Sequence, residues 1–177
     1  MGRVAAVVLA AGEATRFGAP KQRILLPAVL GRLARLPVDE IVVVSGAYEL
    51  ELPCGSEPQS ALRARVVLCS EWARGPGASL RCGLATLGAD VDAAVVVLAD
   101  GPDLAPASVE RVLADWRDGG GVVAASYGGS RGHPLVLGRD TWGSVPDEGL
   151  RGRAVRLVPC DDLGSPGDVD RPEDLPG

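Results

Sequence analysis

The sequence predicts an α/β fold, a single three-layer domain around a mainly parallel sheet. Three observations predict it. Apolar runs of strand length, rich in Val, Leu, Ile and Ala, recur along the chain without the polar alternation of a sheet that faces water. Stretches with helical spacing of apolar residues stand between several of these runs. The 177 residues are enough for one core of three layers, with no internal repeat, linker or low-complexity segment to divide them.

The first strand is Val4-Ala5-Ala6-Val7-Val8-Leu9. Residues 28–36 form a short helix that Pro37 ends, and Pro27 stands before it. Ile41-Val42-Val43-Val44-Ser45 is the second strand. Pro53, Gly55 and Pro58 break up the region after it, with a helical turn expected over residues 57–63. Arg65-Val66-Val67-Leu68-Cys69 is the third strand, and a helix starts near Ser79. The clearest strand is Ala93-Ala94-Val95-Val96-Val97-Leu98-Ala99, which ends in Asp100-Gly101-Pro102. Residues 107–117 form a helix with Val109, Val112, Leu113 and Trp116 on one face. Val122-Val123-Ala124-Ala125-Ser126 is a strand. Residues 127–134 read as a turn-rich loop leading into Leu135-Val136-Leu137. A short helix at Thr141-Trp142 and a last strand over residues 154–159 complete the elements.

With 46% hydrophobic and only 3% aromatic residues, Ala, Val and Leu build the core. A net charge of −5 without a Lys/Arg run excludes non-specific nucleic-acid binding. No apolar stretch reaches membrane-spanning length, and a cytoplasmic protein is expected. Cys54, Cys69, Cys82 and Cys160 lack C-x-x-C spacing and read as small buried thiols. Trp72, Trp116 and Trp142 read as packing residues.

The chemistry concentrates after the first strand. Leu9-Ala10-Ala11-Gly12 is followed by Arg16, Gly18 and Lys21. Small residues let backbone N–H groups approach phosphate oxygens, and the two cations add charge. The spacing matches neither the Walker loop nor the dinucleotide fingerprint. Asp100 also lies just beyond a strand C-terminus, where ligands of open α/β sheets bind.

Five blocks in order carry a resemblance. They are the loop from Leu9 to Lys21; Gly75 to Gly83 with Ser79-Leu80 inside; Leu98-Ala99-Asp100-Gly101-Pro102-Asp103-Leu104; Arg131-Gly132-His133-Pro134 with Asp147-Glu148-Gly149 behind it; and Asp168-Val169-Asp170-Arg171-Pro172-Glu173-Asp174-Leu175. The chain resembles the MobA-like NTP transferase family, in particular its molybdenum cofactor cytidylyltransferase branch, of the nucleotide-diphospho-sugar transferase fold. The resemblance implies attack of an acceptor phosphate on the α-phosphorus of a nucleoside triphosphate, with pyrophosphate leaving. It implies Arg16 and Lys21 on the β- and γ-phosphates, and Leu9, Ala10, Ala11 and Gly12 cradling the nucleotide. Ser79 and Gly83 would line the base and ribose. Asp100 would be the principal Mg²⁺ ligand, Asp170 the second, with Asp168 its competitor for that role. His133 would serve the acceptor loop or set its turn. CTP is the favoured nucleotide, molybdopterin the acceptor and a molybdoenzyme the downstream partner. Readings that remain open are a sugar-phosphate, phospholactate or terpenoid-phosphate acceptor, and a non-catalytic relative that binds nucleotide or hands on a cofactor.

The sequence departs from the family pattern in three places. Ala14 stands where the family has Ser. Gly101 and Asp103 alter the Asp-x-Pro-Leu motif. The segment from Lys21 to Ile41 is short, so weakened support of the phosphate loop is expected.

Overall fold

A computed structural model describes residues 2–13, 20–52, 63–170 and 172–174. The strands are β1 (Arg3–Leu9), β2 (Glu40–Ser45), β3 (Arg63–Leu68), β4 (Val91–Leu98), β5 (Val122–Tyr127), β6 (Ser130–Gly138) and β7 (Arg156–Pro159). The helices are α1 (Lys21–Leu33), α2 (Pro76–Leu84) and α3 (Pro106–Gly119). One seven-stranded sheet runs in the order β3-β2-β1-β4-β6-β5-β7. Every neighbouring pair is parallel except the two made by β6, which runs antiparallel to β4 and β5. The sheet is therefore mixed and mostly parallel, as its continuous apolar runs imply.

Alternation along β1 makes the two cores. Val4, Ala6 and Val8 face one side, with Leu26, Val29 and Leu33 of α1 and Val109, Val112 and Leu113 of α3. Ala5 and Val7 face the other side, with Leu80 and Leu84 of α2. The β1 residues from 4 to 8 are all buried, so the strand sits between two helical layers and fixes where its C-terminal loop emerges. Among the described residues no helix is long and apolar enough to cross a membrane.

Four local expectations are corrected. Helix α1 begins at Lys21 and runs for 13 residues with Pro27 inside it. A proline in a helix loses one backbone bond and crowds the preceding turn, but burial of Leu25, Leu26, Val29 and Leu33 holds the helix together across it. The support expected to be weak after Lys21 is thus a three-turn helix packed on the sheet. Arg131, Gly132, His133 and Pro134 belong to β6 rather than to a loop, because the tight turn at Gly128-Gly129, both at positive φ, returns the chain at once. Cys69 and Cys82 form a disulfide across 13 residues of sequence, since the end of β3 and helix α2 bring their Cα atoms to 5.8 Å. Cys160 is a buried free thiol, as expected. The helical turn expected over residues 57–63 lies outside the described residues, except that Arg63 opens β3.

Helix α2 packs close to the sheet because Gly83 has no side chain. A Cβ there would stand 2.8 Å from methyl groups of both Val7 and Val44, which are fully buried. Gly83→Ala should destabilise the protein by about 1–3 kcal/mol through overpacking. Urea denaturation measures this, and an unchanged midpoint would show that α2 can lift off the sheet freely.

Candidate nucleotide site

The loop after β1 presents its backbone in a particular way. The Ala10 N–H donates to the Val44 carbonyl at 2.9 Å. The Ala11 carbonyl accepts from the Ala47 N–H at 3.0 Å, and the Gly12 carbonyl accepts from Gln22 Nε2 at 2.8 Å. Both carbonyls are held by protein donors, while no described residue accepts from the N–H of Ala11 or Gly12. Nothing lies within 4 Å of where a Gly12 Cβ would be, so the missing side chain opens the crevice. Two adjacent free N–H groups beside open space suit an anionic ligand. Arg16 lies outside the described residues.

Lys21, at the first position of α1, is only 6% exposed. Its ammonium donates to the Val169 carbonyl and lies 3.0 Å from Asp100 Oδ2 and 3.4 Å from Asp170 Oδ1. Asp100 follows β4 directly. Asp170 arrives on the C-terminal tail, which crosses the end of β4 as a strap. The strap is fixed by the Val169 N–H donating to the Asp100 carbonyl at 3.2 Å, by the Asp103 N–H donating to the Pro166 carbonyl at 3.0 Å, and by burial of Val169. The resemblance puts Lys21 on phosphate; here it is also the interior cation between two carboxylates.

Among the described residues, negative charge exceeds positive charge at this point. The Asp168 carboxyl is pushed up by burial and by repulsion from Asp100 and Asp170. Among the described residues no three His, Cys, Asp or Glu side chains converge enough to hold a metal unaided. Two carboxylates with room for phosphate oxygens and water are nevertheless the hard-oxygen donor set that Mg²⁺ or Mn²⁺ favours, and the residues fit such an ion. Asp170 lines the crevice with Asp100, whereas Asp168 lines the neighbouring cavity.

The crevice has a volume of about 540 Å³. Leu9, Ala10, Ala11, Gly12, Lys21, Ser79, Asp100 and Asp170 all line it. Gly83, expected on the base and ribose side, does not; it faces the sheet instead, where α2 requires it. Sequence reasoning missed Gln22 and Trp72. Gln22 is buried in the structure, and its position directly after Lys21 in the loop motif was the available signal. Trp72 lines the crevice while packing against Gly46 and Ala11; a Cβ on Gly46 would come within 2.6 Å of it. Trp72 therefore both packs and presents a wall to a ligand. The wall continues into α2, whose N-terminus is braced by the Gly77 N–H donating to the Asp147 carbonyl at 2.8 Å. The Asp147 carboxylate accepts from both Arg81 and Arg74, which hold it below the usual carboxylate range.

His133 does not line this crevice. It lies on β6, partly buried, between two smaller cavities of about 290 and 280 Å³. Its carbonyl accepts from the Tyr127 hydroxyl at 3.0 Å. Burial, with help from the Arg131 cation, pushes the imidazole down to about 4. The first small cavity shares Leu98 with the main crevice, and the second shares Leu9, Pro76 and Leu98, so the three adjoin in one groove that passes from the end of β1 over β4 to β6.

A strand-end crevice with free loop N–H groups and facing carboxylates is the arrangement of a nucleotide-binding α/β protein. The MobA-like NTP transferase domain matches residues 6–158, and the chain belongs to that family. It is similar in structure to a homologue of Mycobacterium tuberculosis Rv0371c from Mycobacterium sp. strain JC1, at 28% identity and a TM-score of 0.73, covering 97% of this chain and 92% of that one. Rv0371c from M. tuberculosis H37Rv is 26% identical with a TM-score of 0.75 over 98% and 95% of the two chains. A complex of Rv0371c with manganese matches at 23% identity and a TM-score of 0.65 over 90% and 88%. The fold is also that of 4-diphosphocytidyl-2C-methyl-D-erythritol synthase from Anaerococcus prevotii, at 14% identity and a TM-score of 0.68 over 98% and 94%. No curated protein matches the sequence.

The His133 environment has a measurable consequence. Unfolded, its pKa is about 6.5, so between pH 6.5 and 4 the unfolded chain binds a proton that the folded chain refuses. Stability from this group is complete above about pH 6.5 and is lost as the pH falls towards 4. An NMR titration should place the imidazole midpoint near 4; a midpoint of about 6 or higher would show a solvated side chain.

Proposed function

We propose that the protein is a Mg²⁺-dependent nucleotidyltransferase. It moves a nucleoside monophosphate from a nucleoside triphosphate, CTP by preference, to a small phosphorylated acceptor, molybdopterin in the reading favoured by the family branch it resembles. The cofactor so formed would pass to a molybdoenzyme. The observation that carries this reading is the presence of the Ala11 and Gly12 N–H groups, which no described residue engages, with Lys21, Asp100 and Asp170 in one crevice.

An oxygen of the acceptor phosphate forms a bond to the α-phosphorus, and the bond from that phosphorus to the pyrophosphate oxygen breaks. The acceptor oxygen is already anionic near neutral pH, so no general base is required. That fits a site whose only histidine lies elsewhere and is neutral. The work falls to positioning and charge stabilisation. The loop N–H groups orient phosphate oxygens, Lys21 stabilises the leaving pyrophosphate with Arg16, and Ser79 and Trp72 border the nucleoside. Asp100 and Asp170 would hold Mg²⁺, which supplies charge neutralisation on the phosphates. The manganese complex of a mycobacterial relative supports a divalent cation.

Pyrophosphate release should be measured with Mg²⁺ across CTP, GTP, ATP and UTP, with molybdopterin and with a panel of sugar phosphates and phospholactate. Release that depends on one nucleotide and one acceptor is expected. Saturable nucleotide binding without release under any acceptor would replace this reading with a non-catalytic one. Lys21→Ala should lower turnover by ~10²–10³-fold, the usual cost of a charge-stabilising group, and unchanged turnover would remove Lys21 from the mechanism.

A further inference from the structure

The far end of the groove carries positive charge that the nucleotide site does not use. Arg131 on β6 and Arg151, just after Leu150, both line the second small cavity with Leu80, Leu135 and Leu137. Arg131 Nη1 donates to the Leu150 carbonyl at 2.6 Å, which fixes the guanidinium but leaves its charge uncompensated. Among the described residues neither arginine makes an ion pair, although Glu148 lines the same cavity and Asp168 lines its neighbour. Nearby cations are treated differently: Arg74 pairs with Glu71 and Asp147, and Arg81 pairs with Asp147. Arg131 is pushed below the usual guanidinium range by burial and then by repulsion from Arg151. Two like charges held in one cavity wall cost energy that an anion would recover.

We propose that Arg131 and Arg151 form an anion subsite for a second, non-reacting anionic group on the acceptor. The proposal rests on the nucleotidyltransferase reading. The reacting phosphate has to meet the nucleotide where Lys21 and Asp100 stand, and neither arginine lines that crevice. The anion they hold is therefore a different group of the same molecule. Its body lies over the leucines between the two ends, in a cavity of about 280 Å³ that joins the nucleotide crevice at Leu9, Pro76 and Leu98. The acceptor class that fits is a phosphomonoester with a compact, partly apolar body and a carboxylate, phosphate or comparable anion at its distal end. A simple neutral sugar phosphate lacks that second anion.

The test uses the full chain saturated with a non-hydrolysable CTP analogue and Mg²⁺, titrated with inorganic phosphate by calorimetry. Saturable phosphate binding is expected in the wild type. It should be weaker by roughly tenfold or more in Arg151→Gln, as loss of a charge-assisted contact implies, and mostly restored in Arg151→Lys. Arg151 is exposed, so these variants keep the fold, and analogue binding should be the same in all three. Equal phosphate affinity in wild type and Arg151→Gln would overturn the subsite, as would absence of phosphate binding to the analogue-saturated protein. If analogues of CTP, GTP, ATP and UTP all fail to bind, the nucleotidyltransferase reading fails; phosphate titration of the bare wild type and Arg151→Gln then decides the subsite separately, through loss or retention of the arginine-dependent site.

Discussion

The Lys21 ammonium joins three parts of the chain that lie far apart in sequence. It starts α1, lies against the Asp100 carboxylate just beyond β4, and holds the C-terminal strap by donating to the Val169 carbonyl and pairing with Asp170. A lysine buried to this degree is tolerated only with such partners. Because the cation is shared, the start of α1, the end of β4 and the strap are held in one register. The crevice between them is a result of that register rather than a gap left by packing.

Charge is partitioned along the groove. Acidic groups gather at Asp100, Asp168 and Asp170, where the phosphates of a nucleotide would have to be met by cations. Arginines gather at the opposite end, on β6 and after Gly149. Between them lie Leu80, Leu98 and Leu135. A net charge of −5 therefore says little about the ligand, whose surroundings change sign within one continuous groove.

Much of this was legible in the sequence because buried parallel strands leave uninterrupted apolar runs. The β1, β2 and β4 segments stood out for that reason, as did the loop and Asp100 at strand ends. Other features depend on neighbours that sequence does not display. Pro27 reads as a helix boundary until the buried face of α1 is seen to hold the helix through it. Gly83 reads as part of a ligand motif, yet its lack of a side chain serves Val7 and Val44 on the sheet. Trp72 reads as core, but a packing partner at the rim of a crevice is also part of its wall. The Cys69–Cys82 disulfide has no local spacing signal, since it links a strand end to a helix. The antiparallel course of β6 follows from a two-glycine turn that looked like the start of a longer loop.

The strap also bears on the order in which the protein assembles. Lys21 and Asp170 are 149 residues apart in sequence, whereas β1 and β2 can pair across one helix. Contacts that close so long a segment come at a high entropic cost, which earlier and more local structure must already have reduced. The sheet and its helices can therefore form while the Lys21 ammonium still lacks Asp170 and the Val169 carbonyl. Completion of the crevice would then follow formation of the sheet, and its ligand-binding competence would trail the appearance of native secondary structure.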